Sequence, residues 1–198
     1  MTSRLYHFTD TAHLPWIFMA GELRPGLNRI GNYPSPEFVW ATTDARGDRS
    51  AAASKQGVRE GLTRLVRFTL AVGDFEPWPV ARARFPQWTP EKIEKLERTG
   101  KARGSSPLTW HCRVDPLPAD RWLSIETKKY TGSWQTLQSR DLVFQPDAPD
   151  AIGVLIDQMV YMSVQILRPG APMAYAMGAP QPLSEFQVVA DMKSGALE

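Results

Sequence analysis

The chain has one cysteine, no long hydrophobic run and no strong excess of either charge. Cys112 is the only cysteine among 198 residues, so an internal disulfide is excluded and a reducing, cytoplasmic compartment is expected. The longest apolar-leaning stretch, 151–167, is interrupted by Asp157 and Gln158 and is shorter than the roughly 20 residues that cross a bilayer. Residues 1–7 lack the apolar stretch of a secretory signal. The sequence therefore predicts a cytoplasmic protein with no membrane partner.

The charge balance identifies no partner. The chain has 23 Lys and Arg against 21 Asp and Glu, a formal net charge of +2, which is far from the dense positive surface typical of nucleic-acid-binding proteins. Hydrophobic residues make up 42% and charged residues 22%, a balance that can fill a core and argues against disorder. The length is close to that of one domain, so we expect a single domain over residues 1–198.

Several common site motifs are absent. No glycine-rich turn has the spacing of the Walker or dinucleotide-binding patterns. His111 and Cys112 are adjacent on an expected strand, so their side chains point to opposite faces, and no second cluster supplies further ligands; the sequence therefore predicts no metal site. A nucleophile and base pair of Cys112 with His7 stays open, although nothing in the spacing brings the two together.

The pattern of apolar residues predicts many strands and few helices. Strands are expected over 4–8, 38–43, 65–72, 109–114, 122–126, 134–137, 159–167 and 185–190, and helices over 11–21 and 89–100, each ended by a glycine. The proline-bearing stretch 170–182 is expected to be a long loop. Strand and helix alternate regularly only at the start, so the sequence predicts mixed or antiparallel sheets rather than a wound parallel sheet.

Three segments, in chain order, resemble families with an ADP-ribosyltransferase-like fold. The first is LYHFT at 5–9 with LPWI at 14–17 and GEL at 21–23, which is similar to the opening of DarT-type nucleic-acid ADP-ribosyltransferases, of RNA 2′-phosphotransferases and of small bacterial relatives. VWATTD at 39–44 resembles the second strand of that fold, and SEFQV at 184–188 resembles the strand that carries the catalytic glutamate. The middle of the chain, 50–150, shows no such resemblance.

The resemblance implies an α+β protein, a split β-sandwich of two small mixed or antiparallel sheets with a few flanking helices. It also implies NAD as the substrate. Cleavage of the bond between nicotinamide and ribose passes through an oxocarbenium-like state, which a nearby carboxylate stabilises. A histidine can hold a ribose hydroxyl through one nitrogen while a backbone carbonyl fixes the other. The implied roles are catalysis by Glu185, ribose contacts by His7 and Thr9, nicotinamide stacking by Tyr33 or Trp40, and a hydroxyl contact by Thr42.

The sequence leaves alternatives open at several of these positions. Glu126 is also a lone carboxylate at the end of an expected strand and rivals Glu185 as the catalytic acid. Trp40 is as well suited to a core as to a cleft, because large aromatic residues in strands usually pack. DarT-like enzymes place an arginine in their cleft, and here neither Arg24 nor Arg67 is assigned to that role.

The acceptor of the ADP-ribosyl group is not defined by the sequence and is either a protein or a nucleic acid. The arginine-bearing segment 98–104 either contacts a phosphate backbone or is a solvated loop. Two rival functions remain: a catalytically inactive binding module with the same fold, and a nucleic-acid-binding domain whose exposed aromatic side chains stack on bases.

Overall fold

A computed structural model describes residues 4–26, 33–47, 53–145, 148–166, 174–185 and 187–188 of the chain. Its helices are α1 (Leu14–Ala20), α2 (Lys55–Arg59), α3 (Trp78–Ala81) and α4 (Pro90–Ala102). The strands are β1 (Arg4–Asp10), β2 (Glu22–Leu23), β3 (Val39–Thr42), β4 (Leu65–Ala71), β5 (Glu76–Pro77), β6 (Trp110–Arg113), β7 (Leu117–Pro118), β8 (Trp122–Lys128), β9 (Gln135–Thr136), β10 (Leu142–Gln145), β11 (Ala148–Ile156), β12 (Met159–Ile166), β13 (Ala174–Met177), β14 (Gln181–Pro182) and β15 (Gln187–Val188).

The strands form mainly antiparallel sheets. One sheet has the order β5-β6-β3-β1-β4-β8-β9, a second has the order β13-β12-β11-β10-β15 with β14 paired to β12, and β2 pairs with β7. Each pair whose register is described is antiparallel. The protein is therefore of the α+β class that the sequence predicts. Among the described residues, no helix has the length and apolar composition needed to span a membrane.

A tight hairpin turn divides the longest apolar stretch of the sequence into β11 and β12. Ile156 pairs with Met159, and the two residues between them, Asp157 and Gln158, have φ angles of 52° and 62°. Positive φ at both central residues defines the turn whose twist matches that of two antiparallel strands. The polar interruption in the sequence is therefore this turn, and the strand before it, β11, is not among the strands that the sequence predicts.

The stretch 170–182 is not the continuous loop that the sequence predicts. Within its described part lie β13, which pairs with β12 through Ala176 and Val164, and β14, in which Pro182 lies opposite Met159. Both are outer strands of the sheet, where proline is tolerated because a missing N–H costs nothing on the solvent side. Counting prolines alone therefore gave the wrong prediction.

Two glycines have the roles of a helix end and of a close contact. Gly21 ends α1 with φ of 65°, as the sequence predicts. Gly100, predicted to end the next long helix, instead lies inside α4, which continues to Ala102. A Cβ atom at Gly100 would lie 2.4 Å from Cη2 and Cζ2 of Trp110, so the glycine allows the helix to pack against that ring.

The described chain divides into two compact units, each assembled from three stretches. The first takes its residues from 1–8, 23–51 and 68–123, and the second from 9–22, 52–67 and 124–198. The core of the first unit is an aromatic cluster in which buried Phe38, Trp78, Ala81, Trp88, Trp110 and Cys112 are packed against partly buried Tyr33, Trp40, Phe85, Ile93 and Leu96.

The second unit contains a buried arginine within its apolar core. Arg64 is 1% exposed; its Nε donates to the Tyr161 hydroxyl at 2.7 Å and its Nη1 donates to Asp157 Oδ2 at 2.7 Å. A buried charge is tolerated only when it is paired and hydrogen-bonded in this way. The hairpin turn that carries Asp157 is thereby tied to the start of β4.

Candidate functional site

His7 lies on β1 beside β3, within the first unit. Its Nδ1 is 2.7 Å from the main-chain oxygen of Trp40, and because a carbonyl oxygen only accepts, Nδ1 carries the proton and donates it. In the neutral ring, Nε2 then holds the lone pair. The ring is half-buried, with its centroid 6.0 Å from that of Phe68. The imidazole is therefore fixed in the tautomer that accepts a hydrogen bond at Nε2.

The two aromatic residues proposed to stack on nicotinamide, Trp40 and Tyr33, both pack against the aromatic cluster. The ring centroid of Trp40 is 5.0 Å from that of Trp78, and Trp40 is half-buried. The Tyr33 ring is stacked on Trp88 with centroids 5.6 Å apart and an angle of 13° between the planes. Each ring therefore has at least one packing role inside its own unit.

The two proposed threonine contacts are buried. Thr42 is 3% exposed, and its hydroxyl donates to Thr109 Oγ1 at 3.0 Å while it accepts from the Asp44 amide at 3.2 Å. Thr9, in the second unit, is 4% exposed. A ligand contact through the Thr42 hydroxyl would have to compete with its hydrogen bond to Thr109.

Glu185 is the last residue of a 3-10 turn, Leu183–Glu185, in the second unit. The sequence predicts a strand from 185 to 190, whereas the described strand there is β15, Gln187–Val188; residues 186, 189 and 190, and the side chain of Glu185, lie outside the described part. His7 belongs to the first unit and Glu185 to the second.

Glu126, the rival acid, is held by an arginine on the neighbouring strand. Arg67 donates to Glu126 Oε2 from Nε at 2.9 Å, and its Nη2 is 2.7 Å from the same oxygen. The Trp134 ring centroid is 4.4 Å from the guanidinium carbon of Arg67. Both donors use Oε2, and within the described residues no hydrogen bond is made to Oε1. The result is an oriented carboxylate in the second unit, with side-chain exposures of 12% for Arg67 and 19% for Glu126.

The sequence offers Arg67 and Glu126 only as separate candidates, one for the cleft arginine and one for the catalytic acid. Their strands, β4 and β8, are neighbours in the sheet but far apart in the chain. Only the sheet order brings the two side chains together, and that order cannot be read from local residue patterns.

A second carboxylate, Asp10, is completely buried at the end of β1. Oδ1 accepts from the Ala12 amide at 3.1 Å and from His13 Nδ1 at 2.7 Å, and Oδ2 accepts from the Ser54 amide at 2.7 Å. The His13 ring meets the ring of Tyr175 edge-on, with centroids 4.6 Å apart, and burial raises the pKa of the Tyr175 hydroxyl. Asp10 thus joins the start of α1 to the segment before α2.

Cys112 is not a nucleophile in the folded protein. The side chain is 1% exposed, and burial, with a smaller contribution from the charge of Glu76, raises the pKa of its thiol to about 12. The reactive species of cysteine is the thiolate, so the pair of Cys112 with His7 is contradicted. No group of three or more metal-ligating side chains occurs among the described residues.

We expect the Cys112 thiol to resist iodoacetamide at pH 8 in the native protein and to react readily in denaturant. Because its folded pKa is raised, the neutral thiol contributes its full stability below about pH 9 and loses it as the pH rises toward about 12. Mass spectrometry after timed alkylation measures the modified fraction. Rapid native labelling at pH 8 would show that the aromatic cluster is open to solvent.

No family model, curated protein or solved structure matches the chain.

Proposed function

We propose that the protein is an ADP-ribosyltransferase-like enzyme that transfers ADP-ribose from NAD to a protein or nucleic-acid acceptor. Three segments that resemble that family occur in the expected order, and the α+β class with mainly antiparallel sheets is compatible with the split sandwich of that family. NAD acts as a substrate in this reaction.

The observation that carries the proposal is the hydrogen bond from His7 Nδ1 to the Trp40 carbonyl at 2.7 Å. A neutral imidazole held in this tautomer can accept a hydrogen bond from a ribose hydroxyl at Nε2 without adding positive charge beside the reacting carbon. That is the role that the family resemblance implies for His7.

The transfer reaction also requires a carboxylate near the ribose. As the bond between ribose C1′ and the nicotinamide nitrogen breaks, nicotinamide leaves with the bonding electrons and positive charge develops on the ribose. The acceptor then attacks C1′, and its proton passes to the carboxylate or to water. Glu185 is our first candidate for this acid, and Glu126, with Oε2 held by Arg67, is the alternative.

The test compares four variants for NAD binding by calorimetry and for nicotinamide release. We expect His7→Ala to weaken NAD binding and to lower turnover about 10²-fold or more, because ribose positioning and transition-state hydrogen bonds contribute on that scale. His111→Ala is the matched control, since His111 lies in the same unit and its Nδ1 also meets a main-chain oxygen, that of Thr109, at 3.2 Å.

The variants Glu185→Gln and Glu126→Gln show which of the two carboxylates is the catalytic acid, because glutamine has nearly the same volume as glutamate. We expect one of them to lower turnover about 10²-fold to 10⁴-fold. Thermal unfolding of Glu185→Gln should stay close to that of the parent, whereas Glu126→Gln should also lower the unfolding temperature, because it leaves the Arg67 guanidinium, 12% exposed, without its carboxylate. Full turnover in both variants contradicts an acid at either position. Saturable NAD binding without nicotinamide release favours the inactive binding module, and absence of NAD binding rejects the proposal.

A further inference from the structure

Most arginines of the structure are neutralised by a carboxylate. Ion pairs are made by Arg46, Arg64, Arg67, Arg82, Arg84, Arg98 and Arg121. Four cations of the second unit, Lys55, Arg59, Lys128 and Lys129, differ, because none of them makes an ion pair within the described residues. The positive charge of these four groups is therefore available to a partner.

Aromatic rings lie beside two of these cations. The guanidinium carbon of Arg59 is 5.8 Å from the Tyr130 ring centroid, and Lys128 Nζ is 6.0 Å from the Trp134 ring centroid. Tyr130 is 54% exposed, and Lys129, between Lys128 and Tyr130 in the chain, is also exposed. We call these five residues, Arg59, Lys128, Lys129, Tyr130 and Trp134, the basic aromatic hairpin.

The hairpin is held in place by strand pairing, a hydrogen bond across its turn and a side-chain contact. Strands β8 and β9 pair through Thr127 and Gln135, and the turn is closed by a hydrogen bond from the Gly132 amide to the Lys129 oxygen at 3.1 Å. Trp134 is fixed by its contact with Arg67. A shallow cavity of about 190 Å³, lined by Lys129, Gly132, Ser133, Gln135 and Asp157, lies beside the turn.

Two carboxylates near the hairpin, Glu126 and Asp157, are already paired with Arg67 and Arg64. A third, Glu60, follows Arg59 in the chain; it accepts from Gln56 Nε2 at 2.8 Å and makes no ion pair with Arg59 within the described residues. Cations bind phosphates, and an exposed aromatic ring stacks on a nucleobase of any sequence. A duplex hides its base faces and an acidic peptide has none, so the combination favours a single strand.

We propose that the basic aromatic hairpin binds single-stranded nucleic acid, with Arg59, Lys128 and Lys129 on successive phosphates and Tyr130 stacked on a base. This surface goes beyond the proposed transferase and does not depend on it, because binding requires neither NAD nor His7.

The test is fluorescence anisotropy of a labelled 12-nucleotide oligothymidylate with the full-length protein. With three phosphates neutralised, the slope of log K against log[salt] should be about −2, so that raising the salt from 50 to 200 mM weakens binding about 20-fold. Lys129→Ala should reduce the size of the slope by about 0.7. Tyr130→Ala should weaken binding about five-fold or more, because a stacked base contributes on that scale.

Two variants serve as controls. Tyr130→Phe keeps the stacking ring and should bind like the parent. Lys92→Ala removes a lysine from the first turn of α4 in the first unit, outside the arginine-bearing segment 98–104, and should leave binding unchanged. The proposal is overturned if binding does not saturate at 50 mM salt, if Tyr130→Ala binds like the parent, or if Lys92→Ala weakens binding as much as Lys129→Ala does. Equal affinity for a 12-base-pair duplex, or displacement by polyglutamate of similar length, also overturns it.

Discussion

Replacing Trp78 by alanine is expected to destabilise the protein by about 3–5 kcal/mol, the range found when a large buried aromatic side chain is removed. Trp78 is completely buried at the centre of the aromatic cluster, with ring centroids 5.0 Å from Trp40 and 5.3 Å from Trp88. Its Nε1 also donates to Glu97 Oε1 at 3.1 Å. The variant loses apolar burial and ring contacts and leaves a cavity between α3 and its neighbours. Urea denaturation measures the change in the free energy of unfolding.

Two further variants separate packing from hydrogen bonding at this position. Trp78→Phe keeps an aromatic ring and loses only the bond to Glu97 and part of the volume, so its cost should be smaller, about 1–2 kcal/mol. Val80→Ala, on the same short helix at a side chain that is 52% exposed, should change stability by less than about 0.5 kcal/mol. Similar costs for Trp78→Ala and Val80→Ala would contradict the central place of Trp78 in the core.

Replacing Asp10 by alanine is expected to cost about 3 kcal/mol or more. The buried carboxylate accepts from the amides of Ala12 and Ser54 and from Nδ1 of His13. Removing it leaves these donors without an acceptor, and each unsatisfied buried donor costs about 1–3 kcal/mol. The N-terminal end of α1 and the segment before α2 should therefore loosen together. Hydrogen exchange of the two amides, with urea denaturation for the overall free energy, measures both effects.

Asp44→Ala provides the matched control for Asp10→Ala. The Asp44 carboxylate also accepts from a main-chain amide, that of Arg46 at 2.9 Å, and from the Arg46 guanidinium. The side chain of Arg46, however, is 92% exposed. Water can replace such bonds, so the expected cost is within about 1 kcal/mol. Equal losses of unfolding free energy in Asp10→Ala and Asp44→Ala would show that the burial of Asp10 does not increase its contribution to stability.

Local signals in the sequence predicted much of the secondary structure. The alternation of apolar residues at 65–72 predicts β4, and Gly21 predicts the end of α1, because both depend on neighbours in the chain. Gly100 shows where such signals fail. A side chain at this position would collide with the ring of Trp110, which is close to Gly100 in space and not in sequence.

The candidate site was harder to predict than the fold class. The sequence offers Tyr33, Trp40 and Thr42 as NAD contacts but does not predict their partners, because their packing against Trp88, Trp78 and Thr109 depends on contacts between elements. The pair of Arg67 with Glu126 depends on strand order in the same way. The proposed NAD roles of Thr9, Tyr33, Trp40 and Thr42 stay predictions, and the variants above test those of His7 and Glu185.

The division of the chain into two interleaved units bears on how it folds during synthesis. All three stretches of the first unit have been made once residue 123 is complete, whereas the second unit still lacks everything from residue 124 onward. Chains fold as they emerge from the ribosome, N-terminal parts first. Trp16, in the first early segment of the second unit, donates a hydrogen bond to Ser163, and Arg64, in the second early segment, donates one to Asp157, so we expect residues 9–22 and 52–67 to complete their native contacts only after the stretch from 124 onward has been made.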